Sequence, residues 1–113
     1  MKMQERKTDN VVILELSGKI MGGPDAVTLN DKLHELIEAG NTNVVADLGG
    51  VNWMNSSGLG ILIGGLTTMR NNNGDLKLAN ITDRIQSLLM ITKLLSVFES
   101  FDSLEKAVES FSA

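Results

Sequence analysis

Two adjacent serines, Ser56 and Ser57, stand directly before an apolar run in the stretch VNWMNSSGLG, Val51 to Gly60. Hydroxyls in that place can do one of two things. One serine can cap the helix that follows by accepting an orphan backbone N–H, with Gly58 relieving backbone crowding behind it. A hydroxyl there can instead carry a phosphate, because free N–H groups and the helix dipole stabilise added negative charge. Either serine suits the second role. Catalysis by a serine needs a base. The lone histidine, His34, is expected in mid-helix between Leu33 and Glu35, a surface or boundary position. Paired carboxylates for acid–base work are not evident, so no catalytic residue is assigned. A single histidine without any cysteine builds no common metal site, and no metal is expected. Gly58-Leu59-Gly60 does not extend to GxGxxG after a strand, and GxxxxGK[ST] is missing, so no nucleotide cofactor is implied.

Three neighbouring features leave alternatives open. Asp47 ends a strand near the serines, where it can shape their loop or act as a structural cap. Trp53 and Met54 suit either core or partial exposure. Gly60, Gly64 and Gly65 each cost about 1 kcal/mol against alanine in a helix interior. They are accounted for either by close packing of helix on sheet or by a flat face that a partner can approach.

The elements that must position these residues follow from hydrophobic spacing. Asn10 to Gly18, NVVILELSG, reads as a buried strand, and Met1 to Lys7 as its partner across a turn at Thr8-Asp9-Asn10. Gly22, Gly23 and Pro24 break the chain. Pro24 then suits the first position of a helix, with Asp25 in the first turn and Ala26, Leu29, Leu33, Leu36 and Ile37 on one face up to a stop at Gly40. Asn43 to Leu48 reads as a second core strand that Gly49, Gly50 and Asn52 interrupt. The serines open a helix with Leu59, Leu62, Ile63, Leu66 and Met69 inward, ended by Asn71 to Gly74. Asp75 to Ala79 is a short strand. Thr82 and Asp83 start a third helix with Ile85, Leu88 and Leu89 inward. Val97 to Phe101 is a short last strand, and Asp102 with Glu105 fits a capping box before Leu104, Ala107, Val108 and Phe111.

Strands alternating with helices predict an α/β fold: one domain over residues 1–113, with a mixed four- to five-stranded sheet and four helices. Functional groups in such sheets gather in loops after the strands. The segment Met21 to Asp25 should therefore lie beside the serine loop. The chain has 113 residues and a net charge of -4, which discourages non-specific contact with nucleic acid or anionic membranes. The N-terminus, MKMQERK, has no signal-peptide pattern, and a cytoplasmic protein is the expectation.

The residues Asp47-Leu48, together with Met54-Asn55-Ser56-Ser57-Gly58-Leu59-Gly60, resemble the signature of the STAS domain family. Within it the chain is most similar to bacterial anti-sigma factor antagonists. The likeness extends over nearly the whole chain, from the opening hairpin and the helix at Pro24 to the ending VFESFDSLEKAVESF. The resemblance implies a protein that is not an enzyme but the substrate and partner of an anti-sigma factor serine kinase. It binds that kinase when unphosphorylated, loses binding on phosphorylation, and is restored by a serine phosphatase. By the family pattern the modified residue is Ser57. The implied partner surface comprises Met21, Gly22, Gly23, Asp25, Asn55, Ser56, Ser57 and Gly58. The family commonly carries aspartate two positions before the modified serine, where this chain has Asn55. A second reading of the same resemblance is a non-catalytic scaffold, or an accessory subunit of a larger STAS-containing signalling or transport assembly.

Overall fold

The computed structural model describes residues 1–112. The chain opens with a hairpin: β1 (Lys2–Thr8) and β2 (Val11–Ile20) run antiparallel, with Thr8 opposite Val11 across the tight turn at Asp9 and Asn10. Next come α1 (Pro24–Glu38), β3 (Asn43–Met54), α2 (Ser56–Asn71), β4 (Asp75–Ala79), α3 (Asp83–Ile91), β5 (Ser100–Phe101) and α4 (Leu104–Glu109). The sheet order is β1-β2-β3-β4-β5, and every pairing after the hairpin is parallel. The described residues adopt the expected α/β class, with four helices and, of the four to five strands expected, five.

Strand alternation divides the apolar residues between two faces. Val12, Leu14 and Leu16 of β2, Val44, Ala46 and Leu48 of β3, and Leu76 and Leu78 of β4 turn one way. They meet Leu29, Leu33 and Leu36 of α1, Leu59, Leu62, Leu66 and Met69 of α2, and Ile85 and Leu89 of α3. The opposite face holds Val11, Val45 and Ala79, covered by Ala107 of α4 with Leu104, Val108, Phe101 and Phe111 around it. Lys77 also points to this side and is almost fully buried. Its ammonium lies 2.9 Å from a Glu99 carboxylate oxygen, donates to the Ser110 hydroxyl at 2.9 Å and sits 4.2 Å from the centre of the Phe111 ring. Burying that charge is tolerable because every side of it has a partner. Among the described residues no helix is long and apolar enough to cross a membrane.

Three expectations need correction. β3 does not stop at Gly49 but continues to Met54. One residue of β2, Leu16, opposes two of β3, Leu48 and Gly49, between the Glu15–Asp47 and Ser17–Gly50 pairs. A second extra residue, Asn52, falls between the Gly18–Val51 and Lys19–Trp53 pairs. The breakers therefore mark bulges rather than an end. Gly50 permits the first of them, since a Cβ there would lie 2.9 Å from the Cβ of Ser17. Secondly, the last helix is capped by Ser103, whose hydroxyl accepts the Lys106 N–H at 3.2 Å, and not by Asp102. Thirdly, the last strand is only Ser100–Phe101, shorter than Val97 to Phe101.

Candidate functional site

The parallel strands β2, β3 and β4 deliver their following loops to one edge of the sheet, and the serines lie there. The residue that caps α2 is neither serine. Asn55 stands at the N-cap in extended conformation, and its side-chain oxygen accepts the Gly58 N–H at 2.8 Å. Ser56 and Ser57 become the first two helical residues, both exposed. The expectation that a serine caps the helix is thus overturned. An asparagine carbonyl does that work equally well, so neither hydroxyl is committed to it.

Gly58 is fully enclosed. A Cβ built on it would stand 2.7 Å from the carbonyl carbon of Ile20, closer still to the carbonyl oxygen, and 3.1 Å from Ile20 Cγ2. Only glycine lets the first turn of α2 seat against the end of β2. This contact brings the two expected loops together. Gly22 follows Ile20 closely, and its Cβ position lies 3.1 Å from Ser57 Cβ. Gly22 and Gly23 both have positive φ, 100° and 63°, which turns the chain sharply into Pro24 at the start of α1. Met21 is half exposed on the same rim. Asp25 is drawn aside: its carboxylate pairs with the Met1 amino group at 3.4 Å and is largely covered.

The three costly glycines of α2 divide by neighbourhood. Gly65 faces inward, where a Cβ would lie 2.9 Å from Leu33 Cδ1, and serves packing. Gly60 and Gly64, one turn apart, have nothing within 4 Å of their Cβ positions. They floor an open groove of about 710 Å³ between α1 and α2 that begins at Gly22, Gly23 and Ser57 and runs past Ala26, Val27 and Ile61. Val27 is 61% exposed on its wall. Sequence spacing left packing and approachability as alternatives, and each holds for different glycines.

The electrostatics favour an anion at the serines. The first turn of α2 carries no acidic side chain, so nothing there opposes the positive end of the helix dipole. Asp47 takes no part in the serine loop. It accepts the Gly49 N–H at 3.0 Å and the Asn80 amide at 3.2 Å, and so pins the bulge of β3 to the end of β4. Met54 is buried, whereas Trp53 is 39% exposed with the Arg84 guanidinium carbon 4.6 Å from its ring centre. Thirty-one positions separate these two residues, and no sequence spacing signals the contact. His34 is exposed on α1. Among the described residues no group of three or more histidine, cysteine or acidic side chains is placed to hold a metal ion. Among the described residues the one clear shift in proton affinity lies away from the site: hydrogen bonds to Glu5 and then Glu35 raise the Lys32 pKa above its ordinary 10.5.

Comparison with known proteins bears on the family and the fold. A family model described as STAS domain matches residues 2–107. The anti-sigma-B factor antagonist of Bacillus subtilis is 30% identical over 94 residues, covering 83% of this chain and 84% of that protein. The crystal structure of tm1081 from Thermotoga maritima superposes with a TM-score of 0.88 at 19% identity, covering 98% of this chain and 95% of that one. The anti-sigma factor antagonist SpoIIAA superposes with a TM-score of 0.73 in its unphosphorylated form, at 17% identity, covering 98% of this chain and 97% of that one. Its phosphorylated form, from Bacillus, gives 0.73 at 19% identity, covering 97% and 99%.

Proposed function

Because the chain belongs to the STAS domain family, we propose that it is an anti-sigma factor antagonist that engages an anti-sigma factor serine kinase and is switched off by phosphorylation of Ser57. The observation that carries this reading is the release of the serines from capping. Asn55 satisfies the Gly58 N–H, which leaves Ser57 an exposed hydroxyl at the positive end of α2. On this reading the chain is a substrate and a ligand rather than a catalyst. Phosphoryl transfer would move the γ-phosphoryl group of ATP to Ser57 Oγ, with the hydroxyl proton lost and ADP leaving. A serine phosphatase would reverse the state by hydrolysis.

The switch acts on the surface and not on the fold. A phosphate adds roughly 1.5 to 2 negative charges, and the unopposed helix end accommodates them. SpoIIAA has been solved in both phosphorylation states, and this chain superposes on the two equally well, which supports a fold that tolerates the modification. The partner surface comprises Met21, Gly22, Gly23, Asn55, Ser56 and Ser57, with Asp25 at its margin and the Gly60–Gly64 groove as its extension; Gly58, expected on this surface, is instead buried against Ile20 and seats the loop without facing a partner. A partner fitted to a neutral hydroxyl beside Gly22 would have to desolvate a dianion without a counter-charge, and affinity falls.

The test is incubation with the kinase and ATP, phosphosite mapping, and binding measurements on each variant. Phosphate is expected on Ser57. Ser57→Ala binds the kinase yet accepts no phosphate, and Ser56→Ala is still phosphorylated. Modification confined to Ser56, or full binding by the Ser57-phosphorylated chain, refutes the assignment.

A further inference from the structure

The loop that carries Ser57 has two flanks. Strand order places the end of β2, with Gly22, on one side, and the end of β4, leading to α3, on the other. The second flank holds Trp53 and Arg84, stacked at 4.6 Å. Both residues are unusual for their positions. Trp53 is the only tryptophan in the chain and leaves 39% of its surface in water, although an indole is the costliest side chain to expose. Arg84 is the second residue of α3, where its charge opposes the helix dipole.

Carboxylates outnumber lysines and arginines 14 to 10. Arg6 pairs with Glu15 at 2.6 Å and Arg70 with Asp75 at 3.4 Å. Arg84, the remaining arginine, pairs with no carboxylate among the described residues. Stacking on an indole fixes the guanidinium plane and lowers the entropy lost when its fork binds an anion. The pair is therefore a preorganised receptor for a carboxylate, with an apolar ring beneath it.

We propose that Trp53 and Arg84 form a second contact for the protein that engages Ser57, receiving a carboxylate that this partner presents beside an apolar side chain. The inference rests on the reading of Ser57 given above. The occupant is an acidic protein segment and not a nucleic acid, whose approach the net charge of -4 opposes. Nor is it a phosphate on Ser57 itself, since Ser57 packs toward Gly22 on the other flank. Tryptophan and arginine together are the residues that dominate interface energetics when water is excluded around them.

The test uses the full chain and the anti-sigma factor serine kinase of the same organism, with affinities from titration calorimetry. Arg84→Ala should weaken binding about tenfold and Arg84→Glu about a hundredfold. Arg84→Lys should recover little, because an ammonium lacks the fork. Salt dependence should flatten in Arg84→Ala. Thermal unfolding should show every variant folded at the temperature of the titration, since Arg84 is exposed, with Arg84→Glu not below Arg84→Ala because a carboxylate suits the first turn of α3. If Ser57→Glu abolishes binding while Arg84→Glu leaves it unchanged, the second contact is overturned and the Ser57 reading stands. A loss no greater for Arg84→Glu than for Arg84→Ala removes the carboxylate and overturns the proposal as well. Failure of the parent chain to bind the kinase overturns the Ser57 reading and this contact with it.

Discussion

Replacing single glycines of α2 by alanine should have opposite effects within one turn of helix. The substitution is chemically the same at each site, so its effect on the unfolded chain cancels in the comparison. At Gly60 and Gly64 the new methyl group meets nothing within 4 Å. Only the helix-propensity gain remains, about 0.5–1 kcal/mol for each. At Gly58 the methyl carbon would stand 2.7 Å from the Ile20 carbonyl carbon, where ordinary contact is about 3.5 Å or more. The Ile20 carbonyl oxygen is nearer still, so the first turn of α2 must retreat by more than about 1 Å, and the obstacle is backbone that cannot rotate away. Overpacking costs of ~1–3 kcal/mol then apply at their upper end. After the propensity gain, Gly58→Ala should lose about 2 kcal/mol. At roughly 4 °C per kcal/mol for a domain of this size, its midpoint falls by about 8 °C, whereas that of Gly60→Ala rises by about 3 °C. Gly65→Ala should be near neutral, since the side-chain ends of Leu33 and Leu76 can yield. Urea unfolding followed by circular dichroism measures all four. A Gly58→Ala variant within about 0.5 kcal/mol of the parent, or a destabilised Gly60→Ala, would refute the packing account of α2. The stabilised Gly60→Ala and Gly64→Ala variants should also bind the partner less well, because they fill the groove.

Other consequences are as direct. Asn55→Ala removes the cap and should cost about 1 kcal/mol, whereas Asn55→Asp keeps it and stays within about 0.5 kcal/mol; unfolding of the two variants decides. Phosphorylated Ser57 should destabilise Asn55→Asp more than the parent, through like-charge repulsion, measured as the midpoint change on phosphorylation. Lys32 has a folded pKa raised above 10.5 by its hydrogen bonds to Glu5 and Glu35. Its contribution is therefore complete below that ordinary value and is lost as pH rises through the raised one; the midpoint difference between the parent and Lys32→Met should shrink over that alkaline window. Lys77→Ala strips the ammonium from Glu99, Ser110 and Phe111 and should cost about 1–3 kcal/mol. Hydrogen exchange should show protection falling first in Leu104–Glu109, and unchanged protection there would contradict the role given to Lys77.

How much of this could be read from residue order depended on the distance over which each feature is determined. Pro24 at the first position of α1, the inward Leu29–Leu33–Leu36 stripe and the β-branched runs of β2 and β3 are local signals, and they fixed the layers. Local ambiguity explains the misassigned caps. Asn55-Ser56-Ser57 and Asp102-Ser103 each offer neighbouring residues with equal capping chemistry, and tertiary seating chooses among them. The extension of β3 through Gly49 and Gly50 depends on Ser17 across the sheet. The division between Gly65 and the open pair Gly60 and Gly64 depends on where Leu33 of α1 lies. The Trp53–Arg84 stack joins segments that no periodicity connects. The serine loop and the Met21–Asp25 segment were legible as neighbours because parallel strands bring both to one edge. How closely Gly22 approaches Ser57 depends on Gly58 seating against Ile20, a contact between distant segments that residue order does not show.

The match between chain order and sheet order has a consequence for how the domain is made. Each strand from β1 to β5 docks beside the strand synthesised before it. A growing chain can therefore enlarge the sheet by one edge at a time, without parting strands already paired. Such sequential assembly keeps loop closures short, which favours fast folding for a largely parallel sheet. Its cost is a transient one. Until Ser100–Phe101 arrives, the hydrogen-bonding edge of Asp75–Ala79 is open, and Val11, Val45 and Ala79 wait for α4 to cover them. An unfinished chain ending near residue 95 would expose both an unpaired strand and an apolar face. Released chains truncated near residue 95 should be far more prone to aggregation and protease attack than chains that extend through Phe111.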